Sequence, residues 1–145
     1  MLDIDRLHRV LDQIYAGDST GAGAGRTTAY MHMLLGEVWL ADAGSCFVYV
    51  AETPTMARHA MLQFLVYVSN EPTVQMRHTT TRQIILDPTH ISFFFVDVDY
   101  FVRRFAFLGT AVSKVFIDVP PINSTAYDAA VNKAHQLHTN GTDII

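Results

Sequence analysis

The chain has 145 residues, enough for one domain and short for two. Half of them are hydrophobic (50%), 17% are charged and the mean hydropathy is +0.18, which supports a sizeable core and excludes disorder as the main state. Ten basic against fourteen acidic residues give a net charge of −4, which argues against an electrostatically driven nucleic-acid clamp.

A local basic patch remains open, because Arg77, Arg82, Arg103, Arg104 and Lys114 fall in one stretch; solvated surface charge is the plainer reading. No apolar run approaches the roughly 18 residues of a membrane span. Met1-Leu2-Asp3-Ile4-Asp5 lacks the basic and apolar regions of a signal peptide. A single cysteine, Cys46, allows no internal disulfide framework and no cysteine-rich metal site. These features predict an intracellular, cytoplasmic protein.

Leu7, Val10, Leu11 and Ile14 recur at helical spacing and predict an N-terminal helix over residues 1–13. Ile14-Tyr15-Ala16 reads as a very short strand that enters Gly17-Asp18-Ser19-Thr20-Gly21-Ala22-Gly23-Ala24-Gly25-Arg26-Thr27-Thr28. Glycines at this density mark a loop. A helix is predicted from Thr27 to about Ala41, with Met31, Leu34, Leu35, Val38 and Trp39 spaced for burial, and Asp42 to Ser45 ends it.

Cys46 to Ala51 is a continuous run of apolar β-formers, the pattern of a parallel strand buried on both faces. Thr53-Pro54 predicts an N-cap and a first helical proline. The helix would run to about Val68, turn Met56, Ala60, Leu62 and Phe64 to the sheet, and stop at Asn70-Glu71-Pro72. Arg82 to Leu86 and His90 to Phe95 read as strands around a tight turn at Asp87-Pro88-Thr89. Lys114 to Asp118 is the last strand, stopped by Pro120-Pro121. Ser124 would cap a final helix that buries Ala126, Tyr127, Ala130, Val131 and Ala134. The order predicts a single α/β domain, a three-layer sandwich around a mainly parallel sheet, with a nucleotide-binding core over 14–122 and a C-terminal helix and tail over 123–145.

Thr20 to Thr27 reads T-G-A-G-A-G-R-T, against the phosphate-loop pattern G-x-x-x-x-G-K-[ST]. Gly25 and Thr27 match, Arg26 stands for the lysine and Thr20 for the first glycine. Small residues let backbone N–H groups converge on anionic oxygens, and the helix that follows adds its positive end. A dinucleotide fingerprint fits no frame, since Gly21/Gly23 leads to Arg26 and Gly23/Gly25 leads to Thr28. Far downstream, Asp118 closes an apolar strand of the same predicted sheet and would hold the water shell of a magnesium ion beside Thr27. A flexible glycine turn and an ordinary strand-end aspartate are the competing readings.

In three places the sequence resembles the P-loop NTPase core shared by viral terminase large subunits and superfamily 2 helicases. They are the loop Thr20–Thr28, the segment Phe47 to Arg58 with its strand–Pro-Thr–helix order, and the series Ile91–Phe95, Phe107-Leu108-Gly109, Val115–Asp118. The resemblance covers about residues 14 to 122 and implies a fold, a ligand and a role. ATP would bind with magnesium along Thr20, Gly21, Ala22, Gly23, Ala24, Gly25, Arg26, Thr27 and Thr28. Arg26 would stabilise charge, while Thr27 and Asp118 would hold the metal. The protein would be a minimal ATPase acting in nucleic-acid handling or DNA packaging, inside a homo-oligomer or with a protein partner. Arg82, Arg103 or Arg104 would serve as a finger between copies.

Two departures bear on hydrolysis, Arg26 in place of the lysine and Val119 after Asp118. Val119 stands where the family has its acidic catalytic base, and a valine cannot deprotonate water. Glu52, after the strand that ends at Ala51, is the replacement candidate; a surface residue at a helix start is the alternative. The second reading is therefore a catalytically inactive interaction module, such as a viral accessory factor. A phosphate-transfer enzyme using the same loop is a third, and would need a substrate lid.

Other candidates are weaker. Asp97 and Asp99, in Val-Asp-Val-Asp, would suit a metal-binding strand end or a strand with one polar face. His135 and His138 share a helical face without a third ligand. No G-x-S-x-G anchor supports a hydrolase triad.

Overall fold

In a computed structural model the described residues are 24–70, 75–79, 82–87, 89–105, 112–120, 122–137 and 143–144. The predicted helix over 1–13, the strand Ile14–Ala16, the loop residues Thr20 to Gly23, and Phe107-Leu108-Gly109 lie outside them. The elements are α1 (Ala24–Leu40), β1 (Cys46–Ala51), α2 (Pro54–Ser69), β2 (Gln75–Thr79), β3 (Gln83–Asp87), β4 (Ser92–Asp97), α3 (Val98–Arg103), β5 (Lys114–Asp118), α4 (Ser124–Leu137) and β6 (Asp143–Ile144).

The strands form one six-stranded sheet in the order β2-β3-β4-β1-β5-β6. β1 runs parallel to β4 and β5, and β5 runs parallel to β6, while β2 and β3 are antiparallel to their neighbours. The mainly parallel α/β sandwich is thus the observed architecture. All six residues of β1 are buried. Their unbroken hydrophobicity follows from a central strand covered on both faces.

Alternation along the strands sorts the core into two layers. Phe47, Tyr49, Ala51, Phe93, Phe95 and Phe116 pack with α1 and α2. Val48, Val50, Val96, Val115 and Ile117 pack on the opposite face with α3 and α4. The first layer is rich in rings, with Phe64 of α2 over Phe93 at 4.7 Å between centroids and Phe93 stacked on Phe47 at 5.3 Å. Among the described residues no helix is long and apolar enough to cross a membrane.

Thr53 and Pro54 start α2 as expected, the threonine hydroxyl accepting from the Met56 amide at 3.2 Å. The buried face differs from expectation. Ala57, Ala60, Met61, Phe64 and Val68 face inward, whereas Met56 and Leu62 are 37% and 50% exposed. The inward set follows the i, i+3, i+4, i+7 rule from Ala57, and Met56 and Leu62 fall off that stripe.

Elsewhere α1 begins at Ala24 rather than Thr27, so the end of the glycine segment forms the first helical turn. β4 ends at Asp97, which caps the short α3 instead of continuing a strand through Asp99. The Tyr127 amide donates to the Asn123 carbonyl at 3.0 Å, which makes Ser124 the first helical residue rather than the cap. β2 and β6 had no sequence-based prediction.

Gly44 has φ +81° in the α1–β1 connection, and its amide donates to the Thr89 carbonyl at 2.8 Å. An added Cβ would meet nothing within 4 Å, so the cost of Gly44→Ala is purely one of backbone conformation. Thermal or urea unfolding should show a loss of about 1–2 kcal/mol. Cys46 is 1% exposed, and burial pushes its thiol up to about 12. The folded chain should therefore resist thiol reagents at pH 8 and react fully once unfolded. Since the folded value lies above the unfolded one, this contribution to stability is complete below about pH 8 and fades as pH rises towards 12.

Candidate functional site

The three central parallel strands end in register, Ala51 opposite Asp97 on one side and opposite Asp118 on the other. The carboxyl ends of parallel strands are where open α/β sheets present ligand-binding residues. The two aspartates have different surroundings. Asp97 accepts from the Tyr100 amide at 3.4 Å, a local helix cap. Asp118 is only 3% exposed and is reached by side chains from two other elements.

Thr27, in the first turn of α1, donates its hydroxyl to Asp118 Oδ2 at 2.7 Å, bridging 91 positions of sequence. The Tyr49 hydroxyl, from the middle of β1, donates to the same oxygen. Thr27 and Asp118, paired on sequence grounds, are thus in direct contact. Tyr49 was not anticipated. Burial, the Asp118 charge and the hydrogen bond to it raise the phenol well above the ordinary tyrosine range, so it stays a neutral donor.

Two further contacts fix how α1 lies on β5. Tyr30, one turn after Thr27, donates to the Ile117 carbonyl at 2.9 Å. Further along the helix, Glu37 pairs with Lys114 Nζ at 2.6 Å, with both side chains partly buried. From Thr27 to Glu37 the helix rises about 15 Å, and from Asp118 back to Lys114 the strand spans about 13 Å. The near-equal lengths let α1 run antiparallel along β5 with its N-terminus at Asp118. No acidic residue occupies the first turn of α1, so Asp118 is the carboxylate beside its positive end.

Of Ala24, Gly25 and Arg26 the main chain is described, as the opening of α1. Their amides are among the four that a helix leaves without partners inside itself. Thr28 is half-buried on the same turn. Glu52 is half-buried one residue beyond Ala51, at the sheet end that carries Asp118. Val119 is 1% exposed and packs in the opposite layer, with Val115 and Ala130.

Two of the arginines expected to act as fingers between copies are engaged within the chain. Arg82 lies over the Tyr100 ring at 4.2 Å, and Arg103 pairs with Asp99 at 3.1 Å on the exposed side of α3. A cavity of about 390 Å³ opens between α2 and the end of β4, beside Arg58, Arg82 and Asp97. Thr27, Tyr49 and Asp118 do not line it, and the candidate site is defined by the buried carboxylate instead. Among the described residues no group of three or more His, Cys, Asp or Glu gathers, which leaves Asp97 and Asp99 without a metal cluster.

No family model matches the sequence, and no curated protein does. Solved structures match in fold. The large terminase ATPase domain of Thermus phage P74-26 superposes with a TM-score of 0.55 at 15% identity, covering 86% of this chain and 55% of that one. An arginine-to-alanine mutant of that domain gives 0.54 at 14% identity, over 86% and 56%. The HK97 bacteriophage large terminase gives 0.59 at 15% identity, covering 85% of this chain and 26% of the other. This chain therefore spans just over half of the Thermus phage domain. Its fold is terminase-like.

The site makes a ranked prediction for stability. Asp118→Ala leaves the buried Tyr49 hydroxyl without its acceptor and should cost about 1–3 kcal/mol, whereas Asp118→Asn keeps an acceptor and should cost less. Thermal melts of the two variants check the order.

Proposed function

We propose that this chain is the nucleotide-binding core of a terminase-like ATPase. It takes ATP with magnesium where the glycine-rich segment meets α1, and works in nucleic-acid handling or packaging as one part of an assembly. The Thr27–Asp118 hydrogen bond carries this reading, because it joins the loop–helix junction to the strand-end carboxylate across 91 positions.

The donor set suits magnesium. A hydroxyl and a carboxylate are hard oxygen ligands, and magnesium is held by one or two carboxylates plus substrate phosphates and water rather than by an all-protein cage. Bound there, the ion would neutralise charge on the phosphates. The backbone from Gly21 to Gly25 would cradle the phosphates, and Arg26 would add a fixed positive charge. Glu52 would orient and deprotonate the attacking water.

Val119 favours a second reading. Its side chain is built into the α3–α4 layer, so the position that carries the family's base is committed to packing. A chain that binds nucleotide without turnover would be an interaction module.

Titration with fluorescent ATP and magnesium, followed by a phosphate-release assay, tests both. Binding is expected, with Arg26→Ala weakening it by about tenfold, the scale of one charged hydrogen bond. Glu52→Gln should slow phosphate release and leave affinity unchanged. No binding sinks the proposal, and binding without release selects the interaction module.

A further inference from the structure

The hydroxyl of Tyr49 has no purpose in the core that surrounds it. β1 is otherwise Cys, Phe, Val, Val and Ala, and Tyr49 is 1% exposed. Its ring packs against Phe95 at 5.7 Å and against the edge of Tyr30 at 6.2 Å. Phenylalanine would make the same ring contacts without a buried polar group to satisfy. The hydroxyl is explained instead by where it points.

Ala51 is the register partner of Asp118, and Tyr49 is two residues back on the same face. Strand spacing and rise put that diagonal at about 8 Å between Cα atoms. Serine or threonine is too short to cover it, and lysine would bring a charge into the ring layer. A tyrosine both fills the layer and ends in a donor at the right distance.

Its bond falls on Oδ2, the oxygen that also accepts from Thr27, and Oδ1 carries neither donor. Two donors on one oxygen fix the rotation of the carboxylate. Thr27 reaches it from the helix and Tyr49 from the neighbouring strand. If the threonine oxygen is engaged by a metal, the tyrosine still holds the carboxylate.

We infer that Tyr49 is a positioning residue for the metal site, holding Asp118 so that Oδ1 meets the magnesium of a bound nucleotide. The inference rests on the reading of Thr27 and Asp118 as the metal-holding pair. The carboxylate would touch the ion, and Tyr49 would act through it. A purely structural tyrosine would be indifferent to metal.

The test uses the full chain and Tyr49→Phe, with thermal melts to verify folding. Fluorescent ATP is titrated in EDTA, and magnesium is then titrated into the nucleotide complex. Metal affinity should fall at least tenfold, the effect of removing a partner that orients a metal ligand, while metal-free nucleotide affinity stays within about twofold. Unchanged metal affinity overturns the inference and leaves the nucleotide site standing. Equal losses with and without metal also overturn it, since they mark a general packing role.

Asp118→Asn supplies the second arm. If Tyr49 acts only through Asp118, adding Tyr49→Phe to Asp118→Asn should produce no further loss of metal affinity. A further loss overturns the inference. The double variant also removes the unpaired buried charge, so it serves where Tyr49→Phe alone does not fold. Failure of the unsubstituted chain to bind magnesium with ATP removes the parent reading, an outcome distinct from all of these.

Discussion

Burying a carboxylate costs several kcal/mol unless donors are already in place around it. Asp118 meets that condition only when three elements are correctly set. β5 must deliver the carboxylate, β1 must place Tyr49 two residues behind Ala51, and α1 must lay Thr27 over the strand end. The Tyr30–Ile117 and Glu37–Lys114 contacts hold α1 along the strand so that this is achieved. A shift of β5 by one residue would turn Asp118 into the valine-rich layer and Ile117 towards Thr27. The polar contacts therefore specify register, while the ring-rich layer beneath supplies most of the driving force.

The same alternation divides labour within β5. Phe116 and Asp118 face α1, and Val115, Ile117 and Val119 face the opposite layer. A carboxylate at position 119 would enter an apolar layer. On the proposed reading, metal binding and water activation are therefore carried by different strands. The first stays with β5, and the second passes to Glu52 beyond the end of β1. On that reading the separation would let nucleotide binding persist where hydrolysis is lost.

Much of the fold was legible because local signals and burial agree. Cys46–Ala51 is an unbroken apolar run, Lys114–Asp118 is centred on the β-formers Val115, Phe116 and Ile117, and Thr53-Pro54 announces the start of α2. Other elements depend on context. β2, Gln-Met-Arg-His-Thr, has no apolar alternation and owes its conformation to pairing with β3. The two residues of β6 pair at the sheet edge and have no pattern to read. In α2, Met56, Met61 and Leu62 point in directions about 100° or more apart around the helix, and an apolar-rich sequence leaves ambiguous which of them faces the sheet. Of the candidate site, Thr27 with Asp118 was foreseen from residue type and order. Tyr49 was hidden within a hydrophobic run, and only register shows that its hydroxyl meets a carboxylate.

Asp97 and Asp118 look alike in the sequence, each ending an apolar strand, and the residues after them explain why their surroundings differ. An aspartate at the end of a strand commonly turns to the amides two or three residues ahead. After Asp97 the chain enters α3 at once, and the Tyr100 amide takes the carboxylate. After Asp118 the corresponding residues are Pro120 and Pro121, neither of which has an N–H to offer. The local outlet is closed by covalent structure. Its carboxylate must find donors on distant elements, and Thr27 and Tyr49 provide them. The double proline thus does more than end a strand. It keeps a buried carboxylate from being spent on its own backbone, the first requirement for an aspartate that is to serve a ligand.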